Sequence, residues 1–350
     1  MMRMKKSDSV FQERMAKHQD ELRWLYMELY GNEEMFGELT SQMYEYYQAR
    51  KASLKNRDKK REENPDWFKK NDMLGMMLYL DNFAGNLKGV QEKLDYLKSC
   101  NVNCIHLMPF LDSPEGRSDG GYAVADFRKV KPELGTMEDL AALTDKCHRK
   151  DMNVCMDFVM NHTSEDHEWA KKARQGDGEY MSRYFFYDSY DIPGKYEETV
   201  PQVFPTTAPG NFTYLPELQH YVLTTFYPYQ WDLNYKNPRV FNEMMYNFLY
   251  LANQGIDIIR IFDCLNDVRN LQTAVTACNK EKGHAQVALS YTLGDAYTLD
   301  YWKETAKRIE DMGANSLCIK DMAGLLTPYK ATELVQALRE GTDIPIDLHT

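Results

Sequence analysis

Three short stretches bring carboxylates, amides, a histidine and aromatic rings together at close spacing. Ser118-Asp119-Gly120-Gly121-Tyr122 is a polar, glycine-rich turn that ends on one aromatic platform. Asp157-Phe158-Val159-Met160-Asn161-His162 closes an apolar run; with a period of two, Asp157, Val159 and Asn161 share a strand face and His162 turns into the loop. Phe226-Tyr227-Pro228-Tyr229-Gln230-Trp231-Asp232-Leu233-Asn234 adds further rings and amides. Sugar pockets use such groups, with hydrogen bonds to hydroxyls and stacking on ring faces. The same residues also fit a structural role, because a histidine after a strand is commonly a satisfied one. Farther on, Lys320-Asp321 ends another apolar run. A lysine there reads either as a catalytic group with a shifted pKa or as an ordinary salt-bridged loop residue.

The elements that must position these residues are written in the hydrophobic pattern. Residues 8–63 contain no proline and only two glycines, Gly31 and Gly37. Apolar residues recur there at helical spacing, at Met15, Leu22, Leu25, Tyr26 and Leu29, then at Leu39, Met43, Tyr46 and Tyr47, which predicts two or three amphipathic helices. The run Arg50–Arg61 holds seven basic residues against one acid and reads as a solvated helix end. After Asn64-Pro65 short apolar runs alternate with helical stretches. Strands are expected at about 73–80, 104–110, 154–160, 255–261, 286–291, 316–320 and 344–349, with helices at 87–99, 137–150, 268–279, 299–312 and 331–339. Such alternation implies parallel strands with helices outside. Seven strands can be counted where a closed (β/α)8 barrel has eight. The stretch 163–254, rich in aromatics, proline and glycine, is too long for an ordinary connection and reads as an inserted, functional segment. It closes on a helix with Asn237 as cap, Pro238 in the first turn, an apolar face of Phe241, Met244, Met245, Phe248 and Leu251, and Gly255 as stop.

Among the 350 residues, Asp and Glu outnumber Lys and Arg by 53 to 42, for a net charge of −11. That balance argues against nonspecific nucleic-acid binding, which rests on cationic neutralisation of phosphates. No run approaches the ~18 apolar residues of a membrane span, and no apolar core follows Met1–Val10 as in a secretory signal. The seven cysteines, at 100, 104, 147, 155, 264, 278 and 318, form no paired CxxC motifs, so neither a zinc site nor a disulfide framework is expected. A reduced, cytoplasmic, soluble setting without membrane contact fits this usage.

Asp-x-x-x-Asn-His at the end of the third strand resembles the first signature region of the alpha-amylase superfamily, glycoside hydrolase family 13. The stretches MLGMMLYLDNFAGNLKGV, EGRSDGGYAVADFRKVKPELGT, NHTSEDHEWA and TTFYPYQWDLNY carry the resemblance from about Trp67 to Ile261. Together they are similar to amylosucrase and its sucrose-acting relatives, whose N-terminal helical domain the segment 8–63 also resembles. By this resemblance Asp119, Tyr122, Asn161 and His162 hold the glucosyl unit of sucrose or an α-glucan. Asp157 supports the site, Phe226 and Arg260 complete the substrate-binding set, and no cofactor is needed. That family cleaves with retention, through two carboxyls close enough for one to attack the sugar directly. Its nucleophile is the Asp of Arg-x-Asp on strand four, its acid/base a Glu from strand five, and a third Asp comes from strand seven. Here the sequence departs: the position two after Arg260 is Phe262. Asp263, one further, should face the other way and can serve as nucleophile only through a strand bulge. No matching Glu follows in QVALSYT.

From Ile256 onward, GIDIIRIFDCLNDVRNL, ALSYTLGDAYTLDYW, MGANSLCIKDMAGLLTPYKATELVQAL and IPIDLHT resemble the carboxyltransferase domain of pyruvate carboxylase and oxaloacetate decarboxylase. That resemblance implies a TIM barrel with a divalent metal (zinc, manganese or cobalt), biotin, and a biotin carrier domain as partner. Lys320 matches the family's carbamylated metal-binding Lys and His349 the first His of its His-x-His pair. Asp81, at the end of the first strand, stands where the family's metal-binding Asp does.

The expected architecture is therefore α/β, a TIM-barrel-like hybrid of about seven parallel strands, incomplete, with an N-terminal helical segment. Residues 1–66 form the helical domain. Residues 67–261 form an alpha-amylase-like first half of a barrel with an inserted segment 163–236. Residues 256–350 form a carboxyltransferase-like second half truncated at strand seven. The string GIDIIRI at the join, Gly255–Ile261, suits strand four of either family. The expected function is a sugar-binding hybrid without a complete catalytic set. The alternatives are an active sucrose- or glucan-acting enzyme using Asp263, and a metal- and biotin-dependent carboxyltransferase or decarboxylase fragment. Two unpaired sheet edges would favour self-association by edge pairing.

Overall fold

The structure, a computed structural model, describes residues 6–65, 67, 72–200, 202–262, 266–280, 282–321 and 324–349. They fall into two compact units. One comprises Met1–Lys55, Pro109–Glu138 and Val159–Gly255; the other comprises Asn56–Met108, Asp139–Phe158 and Ile256–Thr350.

The second unit holds all seven expected strands: Gly75–Leu78, Cys104–Leu107, Asn153–Met156, Ile258–Phe262, Ala285–Ser290, Ser316–Lys320 and Ile346–His349. They pair in chain order and every pair is parallel. The alternation within strands sorts side chains to two faces. Val287, Leu289, Leu317 and Ile319 pack outward against Trp302, Ala306 and Ile309 of the helix Leu299–Asp311 and Leu334 and Leu338 of the helix Pro328–Gly341. The residues between them include Gln286 and Lys320, which are polar and buried on the inner face. The sheet curls strongly. Arg260 of the fourth strand hydrogen-bonds His106 of the second at 2.7 Å and His349 of the seventh at 2.8 Å. A Cβ on Gly75 of the first strand would lie 3.7 Å from Asp347 Oδ1 of the seventh. This is a TIM-barrel-like α/β arrangement, although the first and seventh strands do not pair among the described residues.

Two expectations change here. The third strand ends at Met156, so Asp157 and Asn161 lie beyond it and do not share a strand face. The basic run is not simply solvated either. The helix Ala52–Glu63 turns Arg57 and Arg61 onto the buried Asp257 carboxylate, at 3.0 and 2.7 Å, because that carboxylate must find partners away from water. His148 Nε2 at 2.9 Å and the Val154 amide at 2.8 Å complete its shell. Burial would raise the Asp257 pKa, but His148, Arg61 and Arg57 together hold it below its ordinary value.

In the first unit the helices Lys6–Tyr30, Glu33–Ala49 and Pro238–Ala252 share a core of Tyr26, Met35, Phe36, Leu39 and Tyr246. The buried polar group Asn242 closes it, accepting from Tyr26 Oη at 3.0 Å and donating to the Met35 carbonyl at 2.8 Å. The face of the first helix runs through Leu22, Tyr26 and Tyr30, not through Leu25 and Leu29, which are 46% and 72% exposed. Asn237 caps the third helix through the Arg239 amide, with Pro238 at its first position, as the sequence predicts. The remainder forms short antiparallel sheets: Leu111–Asp112 with Asp126–Val130, His162–Ser164 with Gln230–Asp232, and Phe186–Tyr187, His220–Leu223 and Phe212–Leu215 together. No helix among the described residues is long and apolar enough to cross a membrane.

Candidate functional site

The first unit assembles the polar residues that the sequence marks for sugar binding. His162 does not turn into a loop. It opens a short strand whose ladder places Asp232 opposite His162 and Gln230 opposite Ser164. This ladder sets Gln230 between two candidates, with its Nε2 donating to Asp119 Oδ2 at 3.1 Å and standing 3.0 Å from His162 Nε2. The Tyr122 carbonyl lies 3.3 Å from the same ring nitrogen, and Asn161 Nδ2 lies 3.3 Å from Nδ1. A neutral ring with its hydrogen on Nε2 donates to Tyr122 and accepts from Asn161; the Gln230 amide nitrogen then lies against the ring without a hydrogen bond to it, and its bond goes to Asp119. Phe226 packs its ring 5.0 Å from the His162 ring, tilted by 56°.

The turn that carries Asp119 is built for its place. Asp119, Gly120 and Gly121 all have positive φ, at 48°, 65° and 98°. A Cβ on Gly121 would come within 2.7 Å of Pro109 Cβ, so only glycine fits there. Asp119 itself takes up a conformation that costs a non-glycine residue about 1 kcal/mol or more, the kind of strain that collects at binding sites.

Burial keeps His162 neutral by pushing its pKa down to about 4. Asp232 moves the other way: burial pushes it up to about 6 although Thr225 N and Oγ1 donate to its Oδ2 at 2.8 and 2.6 Å and Asn161 Nδ2 donates to Oδ1. Behind these groups Trp231 is fully buried, edge-on to Tyr184 and Phe186 at 5.5 and 5.7 Å. Asp119, Tyr122, Asn161 and Phe226 keep part of their surface around a buried floor of His162, Gln230 and Asp232. The arrangement offers carboxylate, amide and ring surfaces to a polyhydroxylated ligand. Gln230 and Asp232 were marked in the sequence only as part of the Phe226–Asn234 stretch, without roles of their own; their signal was the alternation of polar residues flanking Trp231.

The second unit gathers Asp157, Arg260, Lys320 and His349 into a different cluster. Asp157 Oδ1 accepts from His106 Nε2 at 3.1 Å and lies 3.5 Å from Arg260 Nε, while Oδ2 lies 3.6 Å from Lys320 Nζ. Burial would raise the Asp157 carboxyl, but His106, Lys320 and Arg260 hold it well below the usual carboxylate range. Arg260 also donates to Gln286 Oε1 at 3.2 Å and approaches Asp347 Oδ2 at 3.5 Å. Its bonds to His106 and His349 both end on Nδ1, which requires those nitrogens to be unprotonated. Burial accordingly lowers both rings, His349 to about 3 with help from the Lys320 and Arg260 cations. Lys320 too is lowered by burial, against the pull of Asp157.

This donor set does not fit the divalent metal suggested by the sequence. Lys320 faces a carboxylate and His349 Nδ1 is committed to Arg260. Asp81 sits exposed in the first turn of the helix Leu80–Ala84. No group of three or more His, Cys, Asp or Glu side chains that could hold a metal occurs among the described residues. Asp263, the displaced nucleophile candidate, and the side chain of Phe262 lie outside the described residues.

Comparison with known proteins bears on both halves. Trehalose synthase/amylase TreS of Mycolicibacterium smegmatis is 40% identical over 178 residues, 51% of this chain and 29% of that protein. A pyruvate carboxylase subunit of Methanocaldococcus jannaschii is 48% identical over 110 residues, 31% of this chain and 19% of that protein. The chain thus spans a third or less of these curated relatives. The isomaltulose synthase SmuA from Protaminobacter rubrum shares the fold, with a TM-score of 0.59 at 22% identity, over 77% of this chain and 55% of that one. The family described as alpha amylase, catalytic domain, matches residues 30–342 and so runs through both units. The chain belongs to the alpha-amylase catalytic-domain family.

Proposed function

We propose that this chain binds a glucosyl unit of sucrose or an α-glucan, as amylosucrase-like proteins do, and that it lacks a complete retaining catalytic pair. One observation carries the binding reading: the Gln230 amide donates to the Asp119 carboxylate and brings it beside the neutral His162 ring, with Phe226 packed against that ring. Fixed hydrogen-bonding groups beside an aromatic face are what a pyranose requires. The proposed lack of turnover rests on the sequence of two strands. Phe262 occupies the place two after Arg260, and Ala285–Ser290 carries no carboxylate. Retention needs two carboxyls about 5–5.5 Å apart. Sucrose titration in a calorimeter should show binding that His162→Ala weakens roughly tenfold, with no glucose released. Sucrose cleavage that Asp263→Asn abolishes would overturn this reading in favour of an active enzyme.

A second reading has its own support, the 48% identity to a pyruvate carboxylase subunit and a buried lysine at a strand end. It predicts oxaloacetate decarboxylation with a biotin carrier, although the donors around Lys320 do not fit the zinc, manganese or cobalt that the resemblance implies. Oxaloacetate stable to the protein with each metal and free biotin would remove it.

A further inference from the structure

Beside the short sheet of Leu111–Asp112 and Asp126–Val130, the first unit holds an open cavity of about 470 Å³. Asp112 and Asp126 are cross-strand partners and line it together with Glu168 and Lys171 of the helix Glu168–Arg174. Carboxylates set so close repel one another unless each finds a cation. Three of them do, from side chains that do not line the cavity. Lys129 pairs with Asp112 at 2.9 Å, Arg117 with Asp166 at 3.1 Å and Lys172 with Glu168 at 2.7 Å.

Two opposite charges in the lining are left over. Asp126 accepts from the Arg128 amide at 2.8 Å but makes no ion pair among the described residues; Lys129 acts on it only from beyond ion-pair distance. Lys171 makes no ion pair among the described residues either, so the two charges share a cavity without meeting. Ser113 lines the same cavity, is only 9% exposed, and has no hydrogen-bond partner for its Oγ. A hydroxyl that has lost water and gained nothing is costly, and a ligand in the cavity can supply what it lacks.

The leftover groups define the ligand by complementarity. A metal ion would answer only the carboxylate, and no three side chains able to hold one converge among the described residues. A phosphate would answer only Lys171 and would be repelled by the acids around it. A neutral polyol would use neither charge. A zwitterion uses both, through charge-assisted hydrogen bonds, and Pro114 and Ala125 add apolar lining for a short side chain.

We propose that this cavity binds a free α-amino acid with a small apolar side chain, its ammonium on Asp126 and its carboxylate on Lys171 and Ser113. The site shares no residue with the group around His162 and does not rest on the glucosyl reading of that pocket.

The test titrates L-valine into the full chain by calorimetry, beside isobutylamine and isovalerate, which each keep one of valine's two charges. Asp126 and Lys171 are exposed, so Asp126→Asn and Lys171→Gln should leave the fold intact, and thermal melts check this. Each should weaken valine binding roughly tenfold, the worth of one charge-assisted hydrogen bond, and Ser113→Ala roughly threefold. Isobutylamine and isovalerate should each bind at least about tenfold more weakly than valine. Sucrose affinity should be the same in all three variants. Either fragment binding as tightly as valine would reduce the site to a plain cation or anion cleft and overturn the proposal. So would valine that does not bind, or that binds equally to Asp126→Asn and Lys171→Gln. Sucrose binding that falls together with valine binding in these variants would merge the cavity with the sugar pocket and overturn the separate site. Valine binding with the expected losses, in a chain that does not bind sucrose, would support this site and remove the sugar reading alone.

Discussion

Gln230 is the residue on which the candidate pocket turns. Its Nε2 serves Asp119 and faces His162, while its Oε1 accepts from the Tyr227 amide at 3.0 Å. Gln230→Leu keeps the bulk and removes all three contacts. Sucrose affinity should fall roughly tenfold by calorimetry, the worth of one to two hydrogen bonds including one to a charged group. Gln230→Glu should do worse, because a second carboxylate would then face Asp119. In the other unit Arg260 plays the comparable part, binding His106, His349 and Gln286 at once beside Asp157. Breaking a buried charge network by removing one partner costs about 3–5 kcal/mol. Arg260→Met should therefore lower the unfolding free energy from urea titration by that amount. It should also raise the His349 pKa, seen by NMR, since a neighbouring cation that depresses it has gone.

At the level of elements, the first helix offers a direct test of which face is buried. Tyr26→Ala removes a buried ring packed on Tyr30, Phe36 and Phe241 and bonded to Asn242, and should cost about 3–5 kcal/mol. Leu29→Lys on the exposed side should change stability by no more than about 0.5 kcal/mol in the same urea titration. Comparable losses would return Leu29 to the core. The periodicity of residues 8–63 reveals helices but not this face, because Leu25, Tyr26 and Leu29 are all apolar and only packing against the helix Pro238–Ala252 chooses among them. The inner parallel strands were legible because they are apolar-rich runs buried on both faces, as Ala285–Ser290 and Ser316–Lys320 are throughout their length, whereas the outer strands Gly75–Leu78 and Ile346–His349 are only partly buried. The pocket residues were legible as chemistry but not as geometry. The pairing of His162–Ser164 with Gln230–Asp232 spans some seventy residues of aromatic-rich chain, and no local periodicity specifies such a partner. The fate of Arg57 and Arg61 was hidden for the same reason, since Asp257 lies two hundred residues away.

For the whole molecule, the polar groups buried in both units set a common response to acid. His162, His167 and His284 are each pushed down from 6.5 to about 4, led by burial, and His349 to about 3. Each is neutral in the folded chain and takes up a proton more readily when unfolded. Their contributions are therefore complete above pH 6.5 and are lost as pH falls toward the folded values. A displacement of two units corresponds to about 3 kcal/mol at its full extent. Asp232 opposes them: its folded pKa, raised from 3.8 to about 6, makes the folded state bind the proton first, so its contribution grows as pH falls through that window. Asp157 and Asp257, both held below their ordinary range, add their losses only at lower pH. With five histidines, His106 included, against one carboxyl, the urea midpoint should fall steadily between pH 6.5 and 4.5, and Asp232→Asn should steepen that fall. The cluster around Arg260 sharpens that expectation. His106 and Asp157 come from the second strand and the end of the third, and Gln286, Lys320 and His349 from the last three strands. Protonating His349 would put a third cation beside Arg260 and Lys320 and remove the acceptor of an Arg260 hydrogen bond. Acid should therefore loosen the sheet around Arg260. Hydrogen exchange followed at pH 7 and pH 4.5 should show protection lost first in Ile258–Phe262 and Ile346–His349. Protection retained there while the other sheets open first would show that the cluster does not hold these strands together.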